Sequence, residues 1–181
     1  MLVLLDRDGV INEDREDFVK SPEELILIPK SLEAIARLNS HGHKLALVTN
    51  QSCIGRGIIN DEQLAAIHGK LRDMLAKVSG RLDEIFIAPD APWAATERRK
   101  PGPGMLIEAM RKFNIHSSDT VLIGDSERDI EAAKSADCHR ILVQTGKGRK
   151  TLATGLKRHL MPVHVASDLD QAANFILEGR F

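Results

Sequence analysis

Aromatic side chains are scarce in this sequence, which has no tyrosine, one tryptophan and five phenylalanines. Proteins that bind single-stranded nucleic acid usually stack bases on aromatic side chains. The formal net charge of -1 also provides no basic field that would attract phosphate backbones or an acidic membrane surface. We therefore expect neither a nucleic acid nor a membrane as a partner.

Cysteines are also few, and the two present, Cys53 and Cys138, are far apart with no paired spacing. This usage fits a reducing compartment better than a disulfide scaffold. The sequence has no apolar run of bilayer-spanning length, and its amino terminus lacks the basic segment and the small-residue cleavage site of a secretory signal. A cytoplasmic protein is the expectation.

Strand-like and helix-like patterns alternate along the whole chain of 181 residues, of which 43% are hydrophobic. This alternation predicts an α/β fold in which a mainly parallel sheet is covered by helices on both faces. We expect one domain over residues 1–181 and, since no unpaired apolar stripe is evident, a monomer. The predicted strands are Val3–Leu5, Lys44–Val48, Glu84–Ile87, Thr120–Ile123, Arg140–Val143 and His164–Ala166, and the predicted helices are Ser31–Asn39, Asp61–Val78, Gly104–Phe113, Glu127–Ser135 and Leu169–Glu178.

The first predicted strand ends in two carboxylates, Asp6 and Asp8, followed by Gly9, which lets the chain turn. Open α/β sheets bind ligands at the carboxyl ends of their strands. Two close carboxylates repel each other unless a cation lies between them or one is protonated. The segment therefore predicts a metal-assisted carboxylate site.

Three later segments place further polar groups at strand ends or before a helix. Thr49 and Ser52 follow the second strand, and their hydroxyls could bind phosphoryl oxygens, although a simple polar loop has the same composition. The cations before the Pro/Gly turn at 101–104 could neutralise phosphate or form a solvated basic loop. Asp125 ends another apolar strand as a candidate metal ligand, whereas Asp129 lies three residues after Ser126, in a helix-capping pattern, and is expected to cap the helix or support a ligand.

Together these segments resemble the haloacid dehalogenase (HAD) superfamily of phosphohydrolases, in its histidinol-phosphatase-like branch. The resemblance covers roughly Leu2 to Val143. It implies a HAD-like, Rossmann-type three-layer sandwich, and the short gaps between the segments leave no room for a large cap domain. The residues that carry it are Asp6-Arg-Asp-Gly-Val-Ile-Asn12, Val48-Thr-Asn-Gln-Ser52, Gly55-Arg-Gly57, Arg99-Lys-Pro101, Pro103-Gly-Met105 and Gly124-Asp125.

The resemblance assigns Asp6 as the nucleophile that forms an aspartyl-phosphate and Asp8 as the acid and base. It implies one Mg²⁺ held by Asp6, the backbone carbonyl of Asp8, and Asp125. Thr49 and Lys100 are expected to stabilise the transferring phosphoryl group. The remaining expected substrate-binding residues are Asn50, Gln51, Ser52, Arg99, Asp14 and Asp17.

The substrate implied by the resemblance is a small sugar bisphosphate. Two alternatives stay open: a phosphatase of histidinol phosphate or of other small phosphomonoesters, and a non-catalytic module that binds a phosphorylated ligand. The complete set of Asp6, Asp8, Thr49, Lys100 and Asp125 argues against the non-catalytic module.

The sequence departs from the family pattern at several positions. Many relatives carry a zinc-binding loop before Arg99, but here Ala88, Asp90, Thr96 and Arg98 stand where the ligands are expected, so we predict no structural zinc. Instead we expect this loop to be held by two prolines and by burial of Trp93. Ser126 stands where relatives often have lysine, and Cys53 where they have glycine; Cys53 is either a small packing residue or a thiol near the site. The Gly146–Lys150 segment is expected to be a basic surface loop.

Overall fold

The computed structural model describes residues 1–181 and contains every strand and helix predicted above. The ends of these elements agree with the prediction to within two residues, because apolar periodicity and helix caps are local signals. The strands are β1 (Leu2–Leu5), β2 (Lys44–Asn50), β3 (Glu84–Ala88), β4 (Thr120–Gly124), β5 (His139–Val143) and β6 (His164–Ala166). The helices are α1 (Ser31–Ser40), α2 (Ser52–Gly55), α3 (Asp61–Lys77), α4 (Gly104–Phe113), α5 (Glu127–Ser135), α6 (Gly148–Thr154) and α7 (Leu169–Leu177).

The six strands form one sheet in the order β3-β2-β1-β4-β5-β6, and every neighbouring pair is parallel. The chain builds outward from β1 to β3 and then returns to the other side of β1 at β4. The strand order therefore reverses between β1 and β4, where a crevice opens at the carboxyl ends of the strands. The three-layer architecture without a large cap is as predicted.

Alternating strand residues supply two cores, one on each face of the sheet. Val3 and Leu5 of β1 belong to the larger core with the buried faces of α1, α3 and α7. Leu2 and Leu4 point to the opposite face and pack with α4 and α5. Because β1 is buried on both faces, its carboxyl end is fixed at the centre of the molecule.

Local capping and two further helices complete the fold. Asn60 caps α3 in a reciprocal pair with Gln63. The short α2 and α6 have no counterpart among the predicted helices. The Gly146–Lys150 segment lies at the surface as expected, with only Gly148 buried, but α6 begins within it at Gly148. None of the helices combines the length and apolar character needed to span a bilayer.

Candidate active site

A cavity of about 350 Å³ opens at the crevice between β1 and β4. Asp6 follows β1, and its backbone N–H donates to the carbonyl of Ile123 in β4, which joins the two strand ends at 3.0 Å. Asp125 follows β4 directly. The cavity is strongly polar, and its lining includes Asp6, Asp8, Asp14, Asn50, Gln51, Ser52, Arg99, Lys100, Asp125, Arg128, Asp129 and Lys147.

Lys100 is a buried cation between two carboxylates at the floor of this cavity. Its Nζ lies 3.1 Å from Oδ2 of Asp6 and 2.6 Å from Oδ1 of Asp129. The backbone of Lys100 is fixed from β2, since Asn50 accepts a hydrogen bond from its N–H at 3.0 Å and donates to its carbonyl at 2.9 Å. The ammonium is therefore held beside the carboxylate that the motif predicts to react.

Asp8 is oriented by three side chains that all donate to its carboxylate. Arg7 donates from Nη2 to both oxygens, at 3.0 and 3.1 Å. Asn12 donates to Oδ1 at 2.9 Å, and Gln51 donates to Oδ2 at 3.0 Å. Asp6 and Asp8, two residues apart, thus have different partners: Lys100 for the first, and Arg7 with two amides for the second.

The electrostatics of the two carboxylates differ accordingly. Burial, reinforced by the neighbouring carboxylates of Asp129 and Asp125 and opposed by Lys100, raises the pKa of Asp6 to about 8. Burial also acts to raise the pKa of Asp8, but Arg7 and the hydrogen bonds from Asn12 and Gln51 outweigh it and hold that pKa below its usual range. The same strand end therefore carries two aspartates whose environments separate their protonation.

Asp6, Asp125 and Asp129 can bring one carboxylate oxygen each within 4.8 Å of one another. Burial, followed by the charge of Asp129, raises the pKa of Asp125 to about 7, so a divalent cation bound here would relieve carboxylate repulsion. An all-oxygen donor set suits Mg²⁺. Asp129 already pairs with Lys100 through Oδ1 and accepts from Ser126 through Oδ2, whereas Asp125 accepts one hydrogen bond, from the Lys147 backbone, and is the freer ligand.

Two glycines allow the backbone to pass close to Asp125. A Cβ on Gly9 would lie 2.1 Å from Oδ2 of Asp125, and one on Gly146 would lie 2.2 Å from the same atom. Both glycines have positive φ, +83° and +53°, which other residues rarely adopt. The backbone N–H of Lys147 donates to this Oδ2 at 2.7 Å and so fixes the carboxylate.

The sequence-predicted residues are brought together with few exceptions. Asp14, Asn50, Gln51, Ser52 and Arg99 line the same cavity as the strand-end aspartates and Lys100. Thr49 is buried beneath this lining, where its Oγ1 accepts a hydrogen bond from Nε2 of Gln51 at 2.8 Å.

Asp17 is the exception among the predicted substrate-binding residues. Its side chain is 61% exposed and pairs with Lys20 at 2.6 Å and Arg15 at 3.0 Å, outside the cavity lining. These two cations hold the carboxylate outside the cavity lining, and a substrate contact from Asp17 stays a prediction.

The sequence analysis did not assign Arg7, Asn12 or Lys147 to this site, and for Asp129 it gave only a capping or supporting role. Asp129 does cap α5 as predicted, because its carboxylate accepts from the Ser126 backbone and hydroxyl. It also pairs with Lys100, which no local pattern indicates. Lys147 reaches Asp14 at 2.7 Å and lines the cavity, although its side chain is 61% exposed. The one sequence signal for Arg7 and Asn12 was that both are polar residues inside the Asp6–Asn12 motif.

The loop before Arg99 is held by hydrogen bonds rather than by a buried aromatic ring. Trp93 is 73% exposed, so the expected burial of its ring is wrong; its face instead lies under the Arg56 guanidinium, 5.1 Å from the ring centroid. Asp90 accepts from the backbone and hydroxyl of Thr96 at 2.9 and 2.5 Å. The Asp90 carbonyl accepts from Arg99 at 3.0 Å, which ties the loop to the cavity wall.

Cys53 lies directly after the polar loop that follows β2. It is fully buried, and burial raises the pKa of its thiol. Its Sγ lies 3.6 Å from Oε1 of Gln51. The structure therefore favours the interpretation of Cys53 as a small packing residue behind the cavity wall.

Strand-end carboxylates around a buried lysine at the switch point of a parallel sheet define a phosphohydrolase of the HAD class. A HAD-hydrolase-like family model matches residues 97–172. The chain is 47% identical over 154 residues to a D-glycero-beta-D-manno-heptose-1,7-bisphosphate 7-phosphatase of Bordetella bronchiseptica, covering 85% of this chain and 86% of that one. It is 41% identical to the corresponding protein of Pseudomonas aeruginosa, covering 98% of both chains.

Solved structures give the same result. The crystal structure of D,D-heptose 1,7-bisphosphate phosphatase from B. bronchiseptica, complexed with magnesium and phosphate, superposes with a TM-score of 0.93 at 44% identity and covers 98% of both chains. The enzyme from Burkholderia thailandensis superposes with a TM-score of 0.75 at 39% identity over 97% of both chains. This chain belongs to the heptose-1,7-bisphosphate 7-phosphatase family of HAD-like phosphatases.

Proposed function

We propose that this enzyme removes the 7-phosphate of D-glycero-β-D-manno-heptose 1,7-bisphosphate in a Mg²⁺-dependent reaction, a step in making the heptose of lipopolysaccharide. The observation that carries the proposal is the contact of Lys100 with Asp6, 3.1 Å apart, beside the Asp125 carboxylate. The relatives with 40 to 47% identity named for this reaction carry the β-anomer in their names. Those names favour the heptose substrate over histidinol phosphate.

Asp6 is the proposed nucleophile. One of its carboxylate oxygens attacks phosphorus, and the bond between phosphorus and the sugar oxygen breaks, which leaves an aspartyl-phosphate on Asp6. Lys100 lies beside Oδ2 and would neutralise charge on the nucleophile and the phosphoryl oxygens. Oδ1 accepts from the Arg7 backbone N–H at 2.8 Å, which fixes the carboxylate plane.

Asp8 is the proposed acid and base. In the first step it gives its proton to the departing sugar oxygen; in the second it takes a proton from the water that attacks the aspartyl-phosphate and releases inorganic phosphate. Arg7 favours the ionised carboxylate in the free enzyme, whereas the like charge of a bound phosphate dianion would favour its protonation. Asp8 therefore has the environment to change protonation state during turnover.

Asp6, Asp125 and the backbone carbonyl of Asp8 are the groups that would hold Mg²⁺, and their oxygens fit its preference. Bound there, the ion would neutralise charge on the phosphate and would lower the pKa of Asp6, which favours the carboxylate form that the nucleophile needs. Asp129 contributes by orienting Lys100, since its own oxygens are engaged by Lys100 and Ser126.

The remaining polar residues are proposed to bind the substrate around the reacting phosphate. Thr49 supports the phosphate loop from below, through Gln51. Arg99 is held toward the cavity by the Asp90 carbonyl and offers a guanidinium to the second phosphate. Asn50, Gln51, Ser52 and Asp14 line the space between.

Phosphate release is the test of this function. The enzyme is assayed with Mg²⁺ or with a chelator, on α- and β-heptose 1,7-bisphosphate, fructose 1,6-bisphosphate and histidinol phosphate. We expect Mg²⁺-dependent turnover with a kcat/KM for the β-heptose bisphosphate that exceeds the others by at least about tenfold, the worth of one charge-assisted contact. Comparable rates on all four, or a preference for histidinol phosphate, would contradict the assignment.

The Asp6→Asn variant is the matched control for the chemistry, since it keeps the size of the side chain and removes the nucleophile. It should release no phosphate above background while its fold and stability remain measurable.

We further propose that residues 1–181 act as one domain and as a cytoplasmic monomer. Size-exclusion chromatography with light scattering at assay concentration tests the monomer; a dimer would contradict it.

A further inference from the structure

A buried path of side chains leads from the proposed acid, Asp8, into the core beneath α3. Arg7 is 1% exposed, and its Nε and Nη2 face Asp8, whereas its Nη1 points the other way. That third nitrogen lies 3.3 Å from Nε2 of His68, which α3 supplies and which is 4% exposed. His68 has no contact with the cavity and no part in the chemistry described above.

The contact fixes the chemical state of the histidine. A guanidinium has only N–H donors, so Nε2 of His68 must be the acceptor and the ring proton must lie on Nδ1. A protonated imidazolium would instead place two donors and two positive charges against each other. Burial acts in the same direction and lowers the pKa of His68 to about 3.

Hydrogen bonds on two sides hold the guanidinium plane of Arg7 in one orientation. Asp8 accepts from Nε and Nη2, and His68 accepts from Nη1, so rotation of the plane would break contacts on both sides. Asn12 and Gln51 fix the Asp8 oxygens but not Arg7 itself. His68 is the one side chain that hydrogen-bonds to Nη1 of Arg7.

We propose that His68 is a positioning residue for catalysis: as a neutral acceptor it fixes Arg7, and Arg7 fixes the Asp8 carboxylate in the orientation that protonates the leaving group. The inference rests on the proposed role of Asp8. A displacement of about 1 Å in a reacting group can cost about 10²-fold in rate, so a residue buried behind the site can affect the chemical step.

Leaving-group dependence separates this role from a purely structural one. A departing sugar alkoxide needs a proton from Asp8, whereas p-nitrophenolate leaves as a stable anion and needs little assistance. The value of kcat/KM reports the steps up to leaving-group departure. A misplaced Asp8 must therefore lower kcat/KM for the sugar phosphate far more than for p-nitrophenyl phosphate, while general damage to the site lowers both.

The decisive pair of variants is His68→Leu and His68→Gln. Leucine fills similar space but cannot accept a hydrogen bond, whereas the glutamine Oε1 can accept from Arg7. We expect His68→Leu to lower kcat/KM for the heptose bisphosphate by about 10- to 100-fold, and for p-nitrophenyl phosphate by less than about threefold. His68→Gln should recover most of the loss.

Two further variants complete the experiment. Asp8→Asn should show the same selective loss at larger size, about 10²- to 10³-fold, and if it does not, the role of Asp8 and with it this inference are overturned. Arg7→Lys keeps the charge but not the two-sided contact, and should show the selective loss even if His68→Leu does not fold.

An equal loss on both substrates, no loss in His68→Leu, or no recovery in His68→Gln would each overturn the positioning role. If the wild-type enzyme prefers a different alkyl phosphate, the comparison is made with that substrate. Failure of the proposed substrate is then seen in the wild type, and failure of this inference is seen in the ratio between substrates.

Discussion

Lys100 and Asp129 form an ion pair of 2.6 Å in which the side chains are only 2% and 1% exposed. The same ammonium lies 3.1 Å from Asp6. Asp129 therefore shares the ammonium with the proposed nucleophile, and its negative charge adds to the rise in the pKa of Asp6. The two residues come from different strand-to-helix segments, and only the packing of those segments brings them together.

The Asp129→Asn variant tests the effect of Asp129 on Lys100 and Asp6, because the amide keeps the size of the side chain and removes its charge. Breaking a buried ion pair typically costs about 3 to 5 kcal/mol, so we expect the free energy of unfolding to fall by about 3 kcal/mol. Lys100 would also lose the partner that orients it beside Asp6, and we expect kcat to fall by about 10- to 100-fold. Urea unfolding and steady-state kinetics measure the two effects.

Glu131→Gln is the control for the Asp129 variant. Glu131 pairs with Lys157 at a similar distance, 2.7 Å, but at the surface, where such pairs contribute little. Its stability and kcat should hardly change. Equal effects of the two substitutions would show that the buried pair has no special role.

Gly9→Ala is predicted to disrupt metal binding. The added Cβ would lie 2.1 Å from Oδ2 of Asp125 and displace that carboxylate. We expect loss of Mg²⁺-dependent activity and loss of the rise in Tm that Mg²⁺ should give the wild type by binding the native state. Differential scanning fluorimetry with a Mg²⁺ titration measures the second effect.

Gly42→Ala is the matched control for backbone strain. Gly42 has nearly the same φ as Gly9, +81° against +83°, but a Cβ there would meet nothing within 4 Å. This variant should lose some stability and still respond to Mg²⁺. If both variants lose the metal response, strain in the turn rather than contact with Asp125 is the cause.

The burial of His68 predicts a component of stability that depends on pH. Burial and the nearby Arg7 charge lower its pKa to about 3, so between that value and the ordinary 6.5 the unfolded chain binds a proton that the folded protein does not. The contribution of this residue is thus fully present above pH 6.5 and is lost as pH falls, by about 1.4 kcal/mol per pH unit.

The measurement compares wild type with His68→Gln by urea unfolding between pH 7 and pH 5. The carboxylates that titrate in this range are common to both proteins, so the difference isolates His68. We expect the variant to lose less stability than the wild type on acidification, by about 2 kcal/mol over this interval. Parallel curves for the two proteins would mean that His68 is not held neutral by the fold.

Asp90→Ala is expected to loosen the loop over residues 88–99. The substitution removes two hydrogen bonds from Thr96, and through the loop it frees the Asp90 carbonyl that holds Arg99. We expect KM for a bisphosphate to rise by about 3- to 10-fold, the worth of one ordinary hydrogen bond, with kcat nearly unchanged. Limited proteolysis should cut this loop faster than in the wild type.

Trp93→Ala provides the comparison, since the ring is exposed and contacts Arg56 without fixing Arg99. It should leave KM unchanged. A change in KM as large as that of Asp90→Ala would mean that the contact of Trp93 with Arg56 holds the loop.

We also predict that the loop needs no zinc. Treatment with a chelator followed by Mg²⁺ alone should then restore full activity.

Much of the fold follows from signals that lie close together in the chain. The apolar run that ends in Asp6 and Asp8 predicts a buried strand with a reactive end, and the Asn60 and Ser126 caps mark where α3 and α5 begin. These signals depend on periodicity and on side chains within one turn of each other, so they can be recognised without the tertiary structure.

Contacts between residues far apart in the chain do not follow from such local signals. The sequence pattern predicts Asp129 as a helix cap, but its Oδ1 also pairs with Lys100. The pattern around Lys147 predicts a basic loop, but the backbone N–H of Lys147 fixes the Asp125 carboxylate. Likewise Trp93 is expected in the core and lies exposed over Arg56, because hydrophobicity alone does not say whether a loop residue finds space beneath it. Local patterns thus account for the strands, the helices and the strand-end carboxylates. The partners of those carboxylates depend on how helices and loops pack on the sheet, since electrostatic and steric complementarity exist only between surfaces that the fold has brought together.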